Sequence, residues 1–408
     1  MTAPSDTNLF RRHPAAALVL IVGVLSLVLD LALTSVYNLV KHGTIHHRVN
    51  KPSPIRAASP VFHHTLKPDT ISDAEAWGPL HPTLVTNSLG IKDRSARTVS
   101  PRPEHHRIVF MGDSFTEGVG YDYPHTFVGL IDEALGPGGI EVLNAGVVGY
   151  SPAVYYKKTE YLLNTVGLVF DAMVVCLDVS DPIDEIKNYT IRGDETILTP
   201  DLPSPVTEFF SNYSTIPRHL IKLVRLADEM VRDSEFRMTE PIVQTAEDKR
   251  YGTRQERSLW TIDRPLYEAL GRRGQARAER HMNLLHSLLS NRRIPLILVV
   301  YPWPDQIAHH DLDSIHVKFW RDWAAARSVP FVNLFPGFID DSRPPYDTIA
   351  AFYIPGDTHW NDAGHRLVAR YILKELSPLV SGWKPDAAKK VPHRQTSRPH
   401  TSRPHISR

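Results

Sequence analysis

The sequence predicts an α/β protein built on a three-layer, doubly wound parallel sheet and preceded by one N-terminal transmembrane helix. Three observations predict it. Short apolar runs alternate with helical patterns from Arg107 to Leu376, and such alternation packs as a parallel sheet covered on both faces through right-handed crossovers. One apolar run near the start is long enough to cross a bilayer. Serine, glycine, aspartate and histidine residues with chemical potential fall just past the ends of the expected strands, where open α/β sheets bind ligands.

The apolar run is Ala15–Val40, with Asp30 its only charge. As a helix it extends ~39 Å, enough to cross a ~30 Å hydrocarbon core with tilt. Arg11 and Arg12 precede it, and no small-x-small site closes it. It therefore reads as an uncleaved signal anchor rather than a cleaved signal peptide, with residues 1–14 as an N-terminal tail. An acid in a bilayer needs snorkelling room or a partner, so Asp30 is a candidate contact for a membrane partner. Lys41, Arg48, Lys51 and Arg56 outnumber Arg11 and Arg12, and that count alone would keep the following domain cytoplasmic.

Residues 41–105 are rich in His, Pro and polar residues without a period and read as a stalk and irregular lead-in. The pairs His46/His47, His63/His64 and His105/His106 read as solvated loop histidines, because adjacent side chains in a strand point to opposite faces. The α/β domain follows over 106–380. Strands are expected at 107–111 (RIVFM), 140–146, 171–177 (DAMVVCL, with Cys176 as buried filler), 294–302 and 329–335. Helices are expected at 125–135, 152–163 behind the Ser151-Pro152 start, 266–291, 315–327 and 361–376 behind Asn361. Residues 188–260 carry Pro200, Pro203, Pro205, Pro217 and Pro241 and break the rhythm as an insertion or cap, with helical spacing near 216–230. Residues 381–408 repeat TSRPH and lack an apolar pattern, the composition of a disordered tail.

Composition narrows the function. The 46 basic against 45 acidic residues leave a net charge of +1, without the basic excess of a general nucleic-acid binder. One cysteine excludes an internal disulfide or a Cys-rich zinc module. No Walker lysine motif or His-Glu-x-x-His is present, so neither a nucleotide nor a metal cofactor is expected.

Gly112-Asp113-Ser114 follows the first strand of the domain, Gly146–Gly149 the second, and Asp357-Thr358-His359 precedes the last helix. A serine after a strand, with a late Asp and His, supplies nucleophile, orienting acid and base. In MGDSFTEG (111–118), NAGVVGYS (144–151) and DTHWNDAGH (357–365) the chain resembles the SGNH, or GDSL-type, serine hydrolases; TNSLGIKD (86–93) and YPWPDQ (301–306) resemble segments of membrane-anchored bacterial members. The resemblance implies a flavodoxin-like sheet, Ser114 as nucleophile, His359 as base, Asp357 as its orienting acid, and Ser114 and Gly149 as oxyanion donors. It also implies an extracytoplasmic catalytic domain on a single-pass inner-membrane anchor, opposite to the loop-charge count.

Two departures from the family stand out. Where the family's third block reads Gly-x-Asn-Asp, this chain has Asp178-Val179-Ser180-Asp181. Ser180 therefore stands for the Asn that donates to the oxyanion, another donor enters, or activity is low. The late block is Asp-x-His rather than Asp-x-x-His, which leaves Asp340, Asp341 and Asp347 as rivals to Asp357. Trp303 and Trp360 are candidate sugar-stacking residues, with core packing as the other reading. The activity implied is acyl-ester hydrolysis of a small ester or acylated carbohydrate. The alternatives are an O-acetyltransferase on envelope polysaccharide and a non-catalytic, membrane-tethered carbohydrate-binding or assembly protein.

Overall fold

The computed structural model describes residues 13–44, 53–197, 206, 209–210, 213–234, 242–340 and 342–383. Helix α1 (Pro14–His42) carries the long apolar run. Two small antiparallel ladders follow, β1 (Arg56–Ser59) with β2 (His63–Leu66) and β3 (Ile71–Ser72) with β4 (Leu84–Val85). The main sheet holds β5 (His106–Met111), β6 (Ile140–Asn144), β7 (Ala172–Leu177), β8 (Leu296–Val300) and β9 (Phe331–Asn333). All its pairings are parallel, in the order β6-β5-β7-β8-β9. This is the flavodoxin-like order, in which ligands bind where the winding reverses beside the first strand. Every residue of β7 and β8 is buried, as expected of central parallel strands covered by helices on both faces.

The short helices α2 (Ser114–Glu117) and α3 (Asp181–Lys187) leave the carboxyl ends of β5 and β7. The expected helices appear at Phe127–Leu135, Pro152–Tyr161, Arg272–Ser290 and Ile315–Ala325, and the last helix at Asp362–Val380. Asn361 caps that last helix by accepting from the N–H groups of Ala363 and Gly364. The segment 384–408, expected to be a tail, lies outside the described residues, as does most of 1–14.

From Ser53 onward the lead-in is not a stalk. Ile55, Phe62, Leu66, Leu84 and Ile91 are buried in the same core as the sheet. Its strands are only two to four residues long, too short to show an alternating period. The pair His63/His64 is packed rather than solvated. The two Nδ1 atoms lie 2.8 Å apart, and His64 Nε2 bonds the Val148 carbonyl at 2.8 Å. His105 and His106 pair with Glu141 and Asp171, while His46 and His47 lie outside the described residues.

Helix α4 (Thr215–Ser234), from the insertion, meets α1. Asp30 accepts from the N–H groups of Thr215 at 3.1 Å and Ile216 at 3.2 Å and from the Ser214 hydroxyl. Thr34 and Thr215 join through their hydroxyls at 2.9 Å. The only buried residues of α1 are Asp30, Thr34 and Asn38, one polar stripe at helical spacing. Asp30 thus finds its hydrogen-bond donors on a helix of its own chain. The first N–H groups of a helix lack internal acceptors, and a carboxylate meets that need and opposes the helix dipole.

Candidate active site

Gly112 and Asp113 turn the chain sharply from β5 into α2. The Asp113 carboxylate caps α2 by accepting from the Phe115 N–H at 3.0 Å. Ser114, at the first position of the helix, remains slightly exposed, at 8%. Its Oγ lies 2.8 Å from His359 Nε2, closer than its 3.2 Å contact to Asp113. His359 Nδ1 donates to Asp357 Oδ1 at 2.5 Å, and the His359 backbone N–H donates to the same oxygen at 2.9 Å. One carboxylate oxygen thus holds both backbone and ring of the residue two positions later. That double contact is how the short Asp-x-His spacing works. Of the rival acids, Asp340 accepts from Ser342 and is exposed, Asp347 lies in the first turn of a separate helix, and Asp341 lies outside the described residues.

The lead-in supplies a residue that sequence reasoning missed. Trp77 Nε1 donates to the other oxygen, Asp357 Oδ2, at 2.8 Å, and its ring stands edge-on to His359 with centroids 5.0 Å apart. Burial pushes the Asp357 carboxyl up, but the hydrogen bonds from His359 and Trp77 outweigh it and hold the group below its ordinary value. The acid therefore stays ionised beside the imidazole.

Gly149 adopts φ +77°, a left-handed conformation that other residues rarely take. Among the described hydrogen bonds, the N–H groups of Ser114 and Gly149 have no internal acceptor. Gly146 permits the close approach of this loop to α2: a Cβ there would stand 2.7 Å from Thr116 Cβ and 2.8 Å from the Glu117 nitrogen. Glu117 fastens the same loop. It is fully buried, accepts from the Val148 N–H at 2.7 Å, and receives Arg56 of β1 in a bidentate pair at 2.8 and 3.0 Å. Burial raises the Glu117 carboxyl, but Arg56 overcomes this and holds it low. Lys92 of the TNSLGIKD segment, also buried, donates to the carbonyls of Gly118 and Tyr121.

Ser180 does not present a free hydroxyl. It is the N-cap residue of α3, with no exposed surface. Its Oγ donates to Asp184 at 3.3 Å and accepts from Arg257 at 2.9 Å. A hydroxyl has one proton, and here it points to Asp184 rather than toward Ser114. Arg257 lies on helix α5 (Glu256–Leu259) near the end of the insertion. Its guanidinium also pairs with Asp184, lies over the Trp303 ring at 5.6 Å, and is 44% exposed. Asp305 of YPWPDQ fixes the approach to α5 by accepting from the N–H groups of Arg254 at 2.7 Å and Gln255 at 3.0 Å and from the Ser258 hydroxyl at 2.6 Å.

Beneath these residues lies a buried acidic cluster. Asp113 and Asp181 are raised well above the ordinary carboxylate range, by burial first and by Asp178 second. Asp184 is pushed up to about 6 by burial, with Arg257 opposing. The Tyr301 hydroxyl lies across the cluster, 3.2 Å from an Asp113 oxygen and 3.4 Å from an Asp178 oxygen. The two tryptophans are packing residues, not stacking platforms. Trp360 is 1% exposed among Phe115, Phe127, Tyr301 and Phe338. Trp303 is 4% exposed, with Phe115 against it and Arg257 over its ring.

No family model matches the chain, and no curated protein matches it in sequence. Solved structures overlap it in outline. A lipase/acylhydrolase from Enterococcus faecalis is 15% identical, with a TM-score of 0.35, over 69% of this chain and 100% of that one. A catalytic mutant of Axe2, an acetylxylan esterase from Geobacillus stearothermophilus, is 12% identical, with a TM-score of 0.37, over 70% and 98%. A GDSL-like lipase from Bacteroides thetaiotaomicron is 11% identical, with a TM-score of 0.34, over 69% and 93%. At these scores the likeness carries no argument about activity, and the chemistry has to be read from the side chains themselves.

Proposed function

We propose that the chain is a serine acyl-ester hydrolase of the SGNH kind, tethered to the cell membrane by α1. One observation carries the proposal: Ser114, His359 and Asp357 form a continuous relay of 2.8 and 2.5 Å. With Nδ1–H donated to Asp357, the His359 Nε2 lone pair faces the Ser114 hydroxyl, the tautomer a general base needs. His359 takes the Ser114 proton as Oγ attacks the ester carbonyl carbon. It then returns that proton to the leaving alkoxide as the C–O bond breaks. The acyl-Ser114 ester is cleaved by a water activated in the same way, which releases the acid and restores the serine.

The negative charge on the carbonyl oxygen needs donors already in place. The N–H groups of Ser114 and Gly149 supply two. The third falls to Arg257, because the hydroxyl proton of Ser180 is engaged by Asp184. A cation in this role also offsets the acidic cluster, which would otherwise oppose an oxyanion. The test is hydrolysis of p-nitrophenyl acetate by the full-length protein in detergent, with fluorophosphonate labelling. Turnover and labelling lost together in Ser114→Ala are expected. Turnover that survives the substitution overturns the assignment.

For the membrane we infer a single pass with an extracytoplasmic catalytic domain. The length and apolarity of α1 support the anchor, and the family resemblance supports the orientation. Alkaline phosphatase fused after Val61 reports it: activity is expected, and an inactive phosphatase would show that Lys41, Arg48, Lys51 and Arg56 face the cytoplasm.

A further inference from the structure

We propose that α4 is a second membrane contact, a helix lying in the lipid interface beside the anchor with its apolar face in the acyl chains. The proposal rests on the reading of α1 as a membrane span. On α4, Ile216, Leu220, Leu223 and Val224 are 56–69% exposed. At 100° per residue these four fall within about a third of the helix circumference, and Ala227 extends the same face. Arg218 and Lys222 occupy the opposite side. The charges nearest the start of the helix are all basic, the sign that anionic headgroups attract. Exposed Val206 and Phe209 continue the apolar surface ahead of α4, where Phe209 packs with Phe210 and Tyr213.

Lipid is the occupant because α4 begins on α1 itself, with Asp30 accepting from its first N–H groups. The depth is consistent. From Ala15 to Leu29 the span has one polar side chain, Ser26; from Asp30 onward Thr34, Ser35, Tyr37 and Asn38 interrupt it. The purely apolar part, Ala15–Leu29, is ~22 Å long at 1.5 Å per residue and falls ~8 Å short of a ~30 Å hydrocarbon core. An interfacial helix settles about 5–10 Å into the headgroup and acyl boundary. With α4 starting at Asp30, the two helices together match the membrane. The carboxylate is then hydrogen-bonded at the boundary rather than stranded in hydrocarbon.

The test uses full-length protein in phosphatidylcholine vesicles containing phosphatidylglycerol. Single cysteines are placed at Leu220, Leu223 and Lys222, with Val28→Cys on the anchor as reference, and labelled with an environment-sensitive fluorophore. The native Cys176 is buried, and burial pushes its thiol up to about 12, so it stays unlabelled. Labels at 220 and 223 should be quenched by doxyl lipids and be roughly fivefold less accessible to iodide than the label at 222. Equal iodide access at all three positions overturns the proposal. So does shelter from iodide at 220 and 223 without doxyl quenching, which would mean that protein covers the face. If Val28 also escapes the doxyl lipids, the span reading falls with it; if only 220 and 223 escape, the span stands and the interfacial helix does not.

Discussion

After β5 the chain turns through Gly112 and Asp113 into α2, with Ser114 as its first residue; after β7 it turns through Asp178 and Val179 into α3, with Ser180 as its N-cap. In the first loop the acid does the capping, and the serine next to it is left to meet His359. In the second loop the serine holds the cap position, and its hydroxyl turns inward to Asp184. Where the cap falls, shifted by one residue, separates a serine in contact with His359 from a buried structural hydroxyl at equivalent ends of neighbouring strands. The second loop then depends on a side chain from elsewhere, Arg257, for any outward-facing donor.

The largest expected effect is at the first loop. Ser114→Ala and His359→Ala should each lower kcat for an ester substrate by roughly 10⁴-fold or more with the far-UV circular dichroism unchanged. Comparable turnover in either variant would erase the distinction between the loops.

Next is Arg257. Removing it alone would leave Asp184 buried without its cation, so Arg257→Gln is paired with Asp184→Asn and compared with Asp184→Asn alone. The pair should lose roughly 10²-fold in kcat with little change in KM. Adding Ser180→Asn should recover part of that loss, by placing an amide where the family has one. A pair as active as Asp184→Asn would move the third donor elsewhere.

Asp184 also gives a pH signature. Its folded pKa of about 6 lies above the ordinary 3.8, by burial with Arg257 opposing. The folded state therefore holds this proton more tightly than the unfolded chain. The resulting stability is fully present below pH 3.8 and is lost as pH rises through 6. Asp184→Asn removes that loss, so urea unfolding at pH 8 relative to pH 4 should favour the variant over wild type by about 2–3 kcal/mol. Parallel curves for the two proteins would show that Arg257 already offsets the burial of the charge.

The smallest effect is expected at Ser180→Ala, about threefold in kcat, because only one anchor of Arg257 is lost while Asp184 remains. A tenfold or greater loss would return Ser180 to the oxyanion role that its sequence position suggests.

Much of this was legible in the chain. The central strands are apolar throughout because both faces are covered, and Ser114, Asp357 and His359 sit in short motifs whose partners are fixed by the winding of the sheet. The inward turn of Ser180 was not legible, because its alignment position is that of the family Asn and no spacing rule reports which way a hydroxyl at an N-cap position turns. Arg257 and Trp77 belong to no motif and reach the site from 77 and 280 residues away from their partners. A clue to Arg257 was present: Asp178, Asp181 and Asp184 cluster beside an expected oxyanion site, and such a cluster calls for a cation. The capping of α4 by Asp30 was invisible because it joins two helices 185 residues apart.

The pairing of Arg56 with Glu117 sets where a water-soluble version of this protein can begin. A cut at Val61 would separate α1 cleanly by composition, but it would also delete the guanidinium that neutralises a carboxylate with no solvent contact. Stranding such a charge typically costs about 3–5 kcal/mol, a large part of a domain's whole stability. Glu117 would answer by taking up a proton, and its hold on the Val148 N–H would slacken along with the glycine loop next to Ser114. The first workable boundary therefore lies before Ser53, whose carbonyl receives Lys67 and whose hydroxyl receives the N–H groups of Ile55 and Arg56. The segment between α1 and β5 is for that reason a working part of the α/β domain.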